Sequence, residues 1–210
     1  MFNITKTPIL IISSPRTGSS VLGSYLQTLC DVPYFKEPDY TGGKEMTDFY
    51  DYFSQSKNFI LKVHYIYLNR YRSDISNYLI ENAYKIRIRR KNIVEQIASF
   101  YIATERDFKW HFRNTDQLNL VDTLNIDITK VKQHILYIKY ANHILNSAPI
   151  NFDLDLYYED LPEMNDAGYY IVPKPSNYNE LLSTITELVP PPGFEPGTYA
   201  LSRRCSTTEL

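Results

Sequence analysis

The chain has 210 residues, 43% of them hydrophobic and 22% charged, which is ample for one globular domain with a sizeable core and thin for two. Its 22 Lys and Arg against 24 Asp and Glu give a net charge of -2, so no global positive field draws it onto nucleic acid or anionic lipid, and any anion site has to be a local cluster. No apolar run approaches the roughly 20 residues of a membrane helix, the start MFNITKTPILIISS carries neither a basic leader nor a small-residue cleavage site, and a cytoplasmic protein without a membrane span is expected. Cys30 and Cys205 cannot form a disulfide framework, and the scatter of the histidines at 64, 111, 134 and 143 leads to no expectation of a structural metal site.

In chain order, PILIIS (8–13) is a short β-branched run, followed by a Gly/Ser turn and then SSVLGSYLQTL, in which Val21, Leu22, Tyr25, Leu26 and Leu29 recur at helical spacing. This is strand, loop, helix. YFKEP (34–38), ending in Pro38, reads as an exposed turn. NFILKVHYIYL (58–68) and YKIRIR (84–89) are strands, the second placing Ile86 and Ile88 on one face. Asn92 with Glu95 forms a capping-box pattern that opens the helix NIVEQIASFYIATER. Downstream, the segment 100–119 holds Tyr101, Trp110, His111 and Phe112, which serve equally well as an acceptor pocket or as core. DITKVKQHILYIKYANHILNSA (127–148) is the longest helix, with Ile128, Val131, Ile135, Leu136, Ile138, Ile144 and Leu145 as its apolar stripe. NFDLDLYYEDL (151–161) alternates as a strand and ends in an acidic turn, where Glu159 and Asp160 read as capping or ion-pairing residues, and SNYNELLSTITEL (176–188) is a closing helix. Strands alternating with helices predict a three-layer α/β domain, with a largely parallel central sheet flanked by helices and its ligand outside the strand C-terminal ends.

Composition shifts at Val189. The segment VPPPGFEPGTYALSRRCSTTEL has no Ile, Asn or Lys, although the preceding chain is rich in all three. Cys205 to Leu210 has a permitted back-translation whose reverse complement, TAGCTCAGTGGTAGAGCA, resembles the D-arm of a transfer-RNA gene, and Gly193 to Gly197 can likewise encode a T-arm. The domain is therefore expected over 1–188, with 189–210 an unstructured tail read antisense through a tRNA gene, as integration of a mobile element would produce. The plainer alternative is a Pro-rich linker or binding tail.

The segment Ser13 to Ser20, SSPRTGSS, can be laid on the phosphate-loop pattern GxxxxGK[ST]: Gly18 and Ser20 match, Ser13 replaces the first glycine and Ser19 replaces the lysine. Backbone N–H groups at a helix N-terminus, with the hydroxyls of Thr17, Ser19 and Ser20, suit a phosphate, and Arg16 supplies a cation. The missing lysine, and the absence of a strand ending in an aspartate for magnesium, count against ATP or GTP.

Here the sequence resembles the sulfotransferases that use 3′-phosphoadenosine-5′-phosphosulfate (PAPS). ILIISSPRTGSSVLGSYL looks like their 5′-phosphosulfate loop, which assigns donor contacts to Pro15, Arg16, Thr17, Gly18, Ser19 and Ser20. RRKNIVEQIASFYIA looks like their 3′-phosphate motif, with Ser99 as its serine, Asn92 and Gln96 in frequent companion positions, and either Arg90 or Lys91 as its cation. YFKEP, Lys62-Val63-His64, YEDL (158–161) and SNYNEL extend the likeness over about residues 8 to 188. The resemblance implies transfer of a sulfuryl group from PAPS to a small-molecule or carbohydrate acceptor, a hydroxyl or an amine, with no metal required. Arg16 and Lys62 would neutralise the growing charge. Two subfamily patterns supply competing general bases, His64 of the Lys-x-His and Glu37, which follows Arg16 by 21 residues. The rival readings are a phosphate-loop nucleotide kinase or NTPase, and an inactive nucleotide-binding relic.

Overall fold

The computed structural model describes residues 8–38, 43–55, 58–106, 123–161 and 174–189. The tail from 190 and the residues Trp110, His111 and Phe112 lie outside them. Five strands, β1 (Ile9–Ser13), β2 (Tyr34–Lys36), β3 (Ile60–His64), β4 (Tyr84–Arg89) and β5 (Leu154–Tyr157), form one sheet in the order β2-β3-β1-β4-β5. Every pairing is parallel, so each crossover must pass over a face of the sheet. The helices that do so are α1 (Ser19–Cys30), α2 (Gly43–Ser54), α3 (Ser73–Asn82), α4 (Ile93–Glu105) and α5 (Ile128–Asn146), and α6 (Tyr178–Leu188) follows the last strand. The result is the three-layer α/β fold that the alternation of elements predicts. No described helix is long and apolar enough to cross a membrane.

The central strand β1 is buried at all five positions, as a parallel strand covered on both faces must be. Period-two alternation divides its side chains. Ile9 and Ile11 join Leu22 and Leu26 of α1 with Ile60, Ile86 and Ile88, whereas Leu10 and Ile12 join Leu61, Val63, Phe49 of α2 and Ile75 and Leu79 of α3. A third cluster ties α4, α5 and α6 together through Ile97, Tyr101, Ile135, Ile138, Leu181 and Ile185. Truncating a fully buried leucine such as Leu10 is worth about 2–5 kcal/mol.

Three expectations are corrected. The strand expected over 58–68 ends at His64, because its neighbour β1 ends at Ser13, the partner of His64; without a ladder to join, Tyr65–Arg70 winds into a 3₁₀ turn. YFKEP is no exposed turn: Tyr34–Lys36 pairs with β3 as an edge strand. Ile128 and Leu136 stand outside the α5 stripe, at 52% and 49% exposure, and the buried face runs through Val131, Ile135, Ile138, Ala141 and Leu145. Tyr101 belongs to the core rather than to a pocket; its hydroxyl donates to Asn125 O at 2.8 Å and accepts from Asp127 N at 2.8 Å.

Candidate functional site

The sequence-predicted site residues collect at the C-terminal edge of the sheet. Ser14 to Ser20 follow β1, Glu37 follows β2, Lys62 and His64 end β3, Arg90 and Lys91 follow β4, and Tyr158 to Asp160 follow β5. This is the edge where parallel α/β sheets take their ligands.

The loop after β1 is held in an unusual shape. Arg16 has φ 63° and Gly18 has φ 78°, both left-handed. Glycine bears that conformation without strain, but at Arg16 it costs about 1–2 kcal/mol, a strain characteristic of ligand-binding turns. Gly18 is the N-cap of α1, and no side-chain hydrogen bond caps that helix. The hydroxyls divide unequally. Thr17, fully buried, donates to Ser14 O at 3.1 Å, and Ser19, 3% exposed, accepts from Ser13 Oγ at 3.1 Å. Both brace the loop from beneath, while Ser20 Oγ accepts from Lys62 Nζ at 3.1 Å.

A polar network that the sequence reading did not assemble anchors the loop. Gln96 of α4, fully buried, donates from Nε2 to Pro15 O at 2.7 Å and to Ser14 Oγ at 3.0 Å. Ser14 in turn donates to Asn142 Oδ1 at 2.5 Å, and Asn142 Nδ2 donates to Gln96 Oε1 at 3.0 Å. Asn142 interrupts an otherwise apolar inward face of α5, which is the signal that would have exposed it.

Lys62, Glu37 and His64 form one cluster. Glu37 Oε1 lies 2.7 Å from Lys62 Nζ and 2.7 Å from His64 Nε2. Glu37 itself is left-handed at φ 51°, and its N–H donates to Lys62 O at 3.0 Å, which turns the carboxylate back onto β3. Burial alone would raise the Glu37 pKa, but the Lys62 charge and the His64 hydrogen bond outweigh it and hold the carboxyl far below the usual carboxylate range.

The two turns expected to bind phosphate meet. Arg16 Nε donates to Ser99 Oγ at 3.0 Å, and Arg90 NH1 donates to Arg16 O at 3.4 Å, linking the loop after β1 to the turn after β4. Burial and the neighbouring Arg90 guanidinium lower the Arg16 pKa, against opposing contributions from Glu37 and Tyr158. Two guanidiniums are thus brought together at a cost that an anion between them would offset. Arg90, with its side chain 13% exposed, lies inside the site; Lys91, 51% exposed, pairs with Asp160 on the surface. Arg90 Nε is buried without a hydrogen-bond acceptor, with the Glu159 carboxylate at 3.7 Å.

Asn92 caps α4 as predicted, accepting from Glu95 N at 3.1 Å. The reciprocal half of the capping box is replaced. Glu159, not Glu95, accepts from Asn92 N at 3.2 Å and from Lys91 N at 2.9 Å, while the Glu95 carboxylate turns to Arg90 NH2 at 2.7 Å. The acidic turn after β5 is thus a clamp on the β4–α4 turn, in line with its reading as ion-pairing. Tyr158 lies directly over the loop, so close that a Cβ on Gly18 would fall 2.1 Å from its Cδ2.

No protein-family model matches the chain, and no curated protein matches it significantly.

Proposed function

We propose that the protein is a PAPS-dependent sulfotransferase. The observation that carries this reading is the junction of two anion-binding turns: the loop after β1 and the turn after β4 are joined by Arg16, Ser99 and Arg90, so a ligand bearing two separate anionic groups would bridge them. A nucleotide with phosphates on both its 5′ and 3′ positions has that form. Ser19 stands where an NTPase has its lysine, and its buried hydroxyl is turned toward Ser13; a lysine reaches the first turn of α1 from β3 instead, Lys62 donating to Ser20.

The bound donor supplies an activated sulfuryl group on its 5′-phosphate. The chain's residues then have separable tasks. The N–H groups at the start of α1 and Ser20 Oγ hold the 5′ end, and Arg16 and Lys62 neutralise charge growing on the bridging oxygen as its bond to sulfur breaks. Arg90 and Ser99 hold the 3′-phosphate, with Arg90 taking the role left open between it and Lys91. His64 receives the proton of the acceptor hydroxyl or amine as the new bond to sulfur forms. Glu37, kept ionised by Lys62, is a poor proton acceptor; it fixes the His64 ring through Nε2 and stabilises its protonated form.

A thermal-shift comparison tests the donor class. Adenosine 3′,5′-bisphosphate is expected to raise the melting temperature, and ATP with Mg²⁺ is not; stabilisation by ATP alone overturns the reading. Labelled PAPS with a panel of sugar, aryl and amine acceptors then tests turnover. Bisphosphate binding without turnover on any of them would favour the inactive relic.

A further inference from the structure

We propose that Glu95 sets the strength of 3′-phosphate recognition by competing with the phosphate for Arg90. The inference rests on the reading of Arg90 as the 3′-phosphate cation. Around the turn after β4, Arg90 and Lys91 face three carboxylates: Glu95 on Arg90 NH2 at 2.7 Å, Glu159 at 3.7 Å from Arg90 Nε, and Asp160 on Lys91. With Arg16 beside Arg90, three cations face three anions, which leaves no local excess of positive charge for an arriving dianion. One carboxylate therefore has to give way.

The geometry singles out Glu95. Glu159 is pinned by two backbone N–H groups, those of Lys91 and Asn92, at 2.9 Å and 3.2 Å. Asp160 engages Lys91 at the exposed rim. The Glu95 carboxylate accepts no backbone hydrogen bond among the described residues, and its side chain is 37% exposed, so it can swing into water without leaving a buried charge behind. Its backbone N–H stays capped by Asn92, so the helix start survives the movement. Binding then becomes an exchange in which Arg90 NH2 releases one charge-assisted partner and takes another, while the so far unpartnered Nε gains an acceptor. The carboxylate shields the paired guanidiniums when no nucleotide is bound and selects for a ligand charged strongly enough to replace it.

Glu95→Gln removes the competing charge but keeps an amide oxygen for Arg90. Calorimetric titration of the full chain with adenosine 3′,5′-bisphosphate and with adenosine 5′-monophosphate gives the readout. The bisphosphate is expected to bind about tenfold more tightly to Glu95→Gln than to the unmodified chain, with the monophosphate within about twofold, so the ratio of the two affinities rises. A merely structural role would move both ligands together. Glu159→Gln, which weakens the clamp, is expected to give no gain for the bisphosphate. Unchanged or weakened bisphosphate binding in Glu95→Gln, or an equal gain in Glu159→Gln, overturns the proposal. If the unmodified chain binds neither nucleotide, the donor reading itself falls, and this inference with it.

Discussion

Arg16 Nε and Ser99 Oγ lie 3.0 Å apart although 83 residues separate them in the chain. The contact fixes the cation of the loop after β1 against the helix after β4, so the two turns keep a constant spacing. Ser99→Ala frees the guanidinium and, on the proposed reading, removes one donor to the 3′-phosphate. Bisphosphate affinity is expected to fall about fivefold, equivalent to about 1 kcal/mol, in a calorimetric titration. An unchanged affinity would show that neither Arg16 placement nor phosphate binding uses Ser99.

His64 and Glu37 separate by the pH dependence of turnover. Because the Glu37 carboxyl is held far below the usual carboxylate range, the proposed mechanism assigns an acidic limb of kcat to His64 rather than to Glu37. His64→Ala should lower kcat by about a hundredfold or more and abolish that limb, whereas Glu37→Gln should keep a limb displaced to lower pH, since His64 loses the carboxylate that favours its protonated form. A limb retained in His64→Ala would return the base role to Glu37.

His134 makes stability depend on pH. Half-buried between α4 and α5, it packs edge-on against Phe100 and Tyr101 at 5.0 Å and 5.6 Å, and its Nδ1 is buried without a partner. Burial lowers its pKa below the ordinary value. The unfolded chain, titrating near about 6.5, therefore takes up the proton first, so stability is complete above that pH and declines as pH falls through it toward the folded value. Urea midpoints measured between pH 7.5 and 5.5 should drop more steeply for the unmodified chain than for His134→Phe. Parallel slopes would sink the assignment.

Gly18→Ala combines two penalties. A left-handed alanine costs about 1–2 kcal/mol, and its methyl would meet the Tyr158 ring. The melting temperature should fall, and adding Tyr158→Ala should restore the steric part while leaving the conformational part. If the double variant melts no higher than the single one, the Tyr158 contact is not what limits residue 18.

The sheet was legible where local pattern and burial agree. Ile86 and Ile88 alternate because one face of β4 is core, and Asn92 caps α4 because its side chain can satisfy an orphan N–H. What stayed hidden depends on partners distant in sequence. β2 has three residues, too few for a period-two pattern, and α2 carries Phe49, Tyr50, Tyr52 and Phe53, whose helical state follows from packing against Phe35 and Phe59 rather than from propensity. α3, with Ile75 and Leu79 one turn apart, is too short for a clear stripe. In the site, residue types were readable, but their division of labour was not: nothing in the sequence says that Thr17 and Ser19 turn inward, that Glu37 joins Lys62 to His64, or that Glu95 leaves its capping box for Arg90.

The edge strand β2 touches the sheet through only three register pairs, Tyr34 with Ile60, Phe35 with Leu61 and Lys36 with Lys62, yet it carries Glu37. An edge this short opens at a fraction of the free energy needed to unfold the central strands. Each opening would withdraw the carboxylate shared by Lys62 and His64 while β1, β3 and β4 stay paired. Amide exchange should therefore be fastest at Tyr34 to Glu37 among the strand segments, and on gentle warming the machinery should fall silent while the molecule still scatters and absorbs like a folded protein.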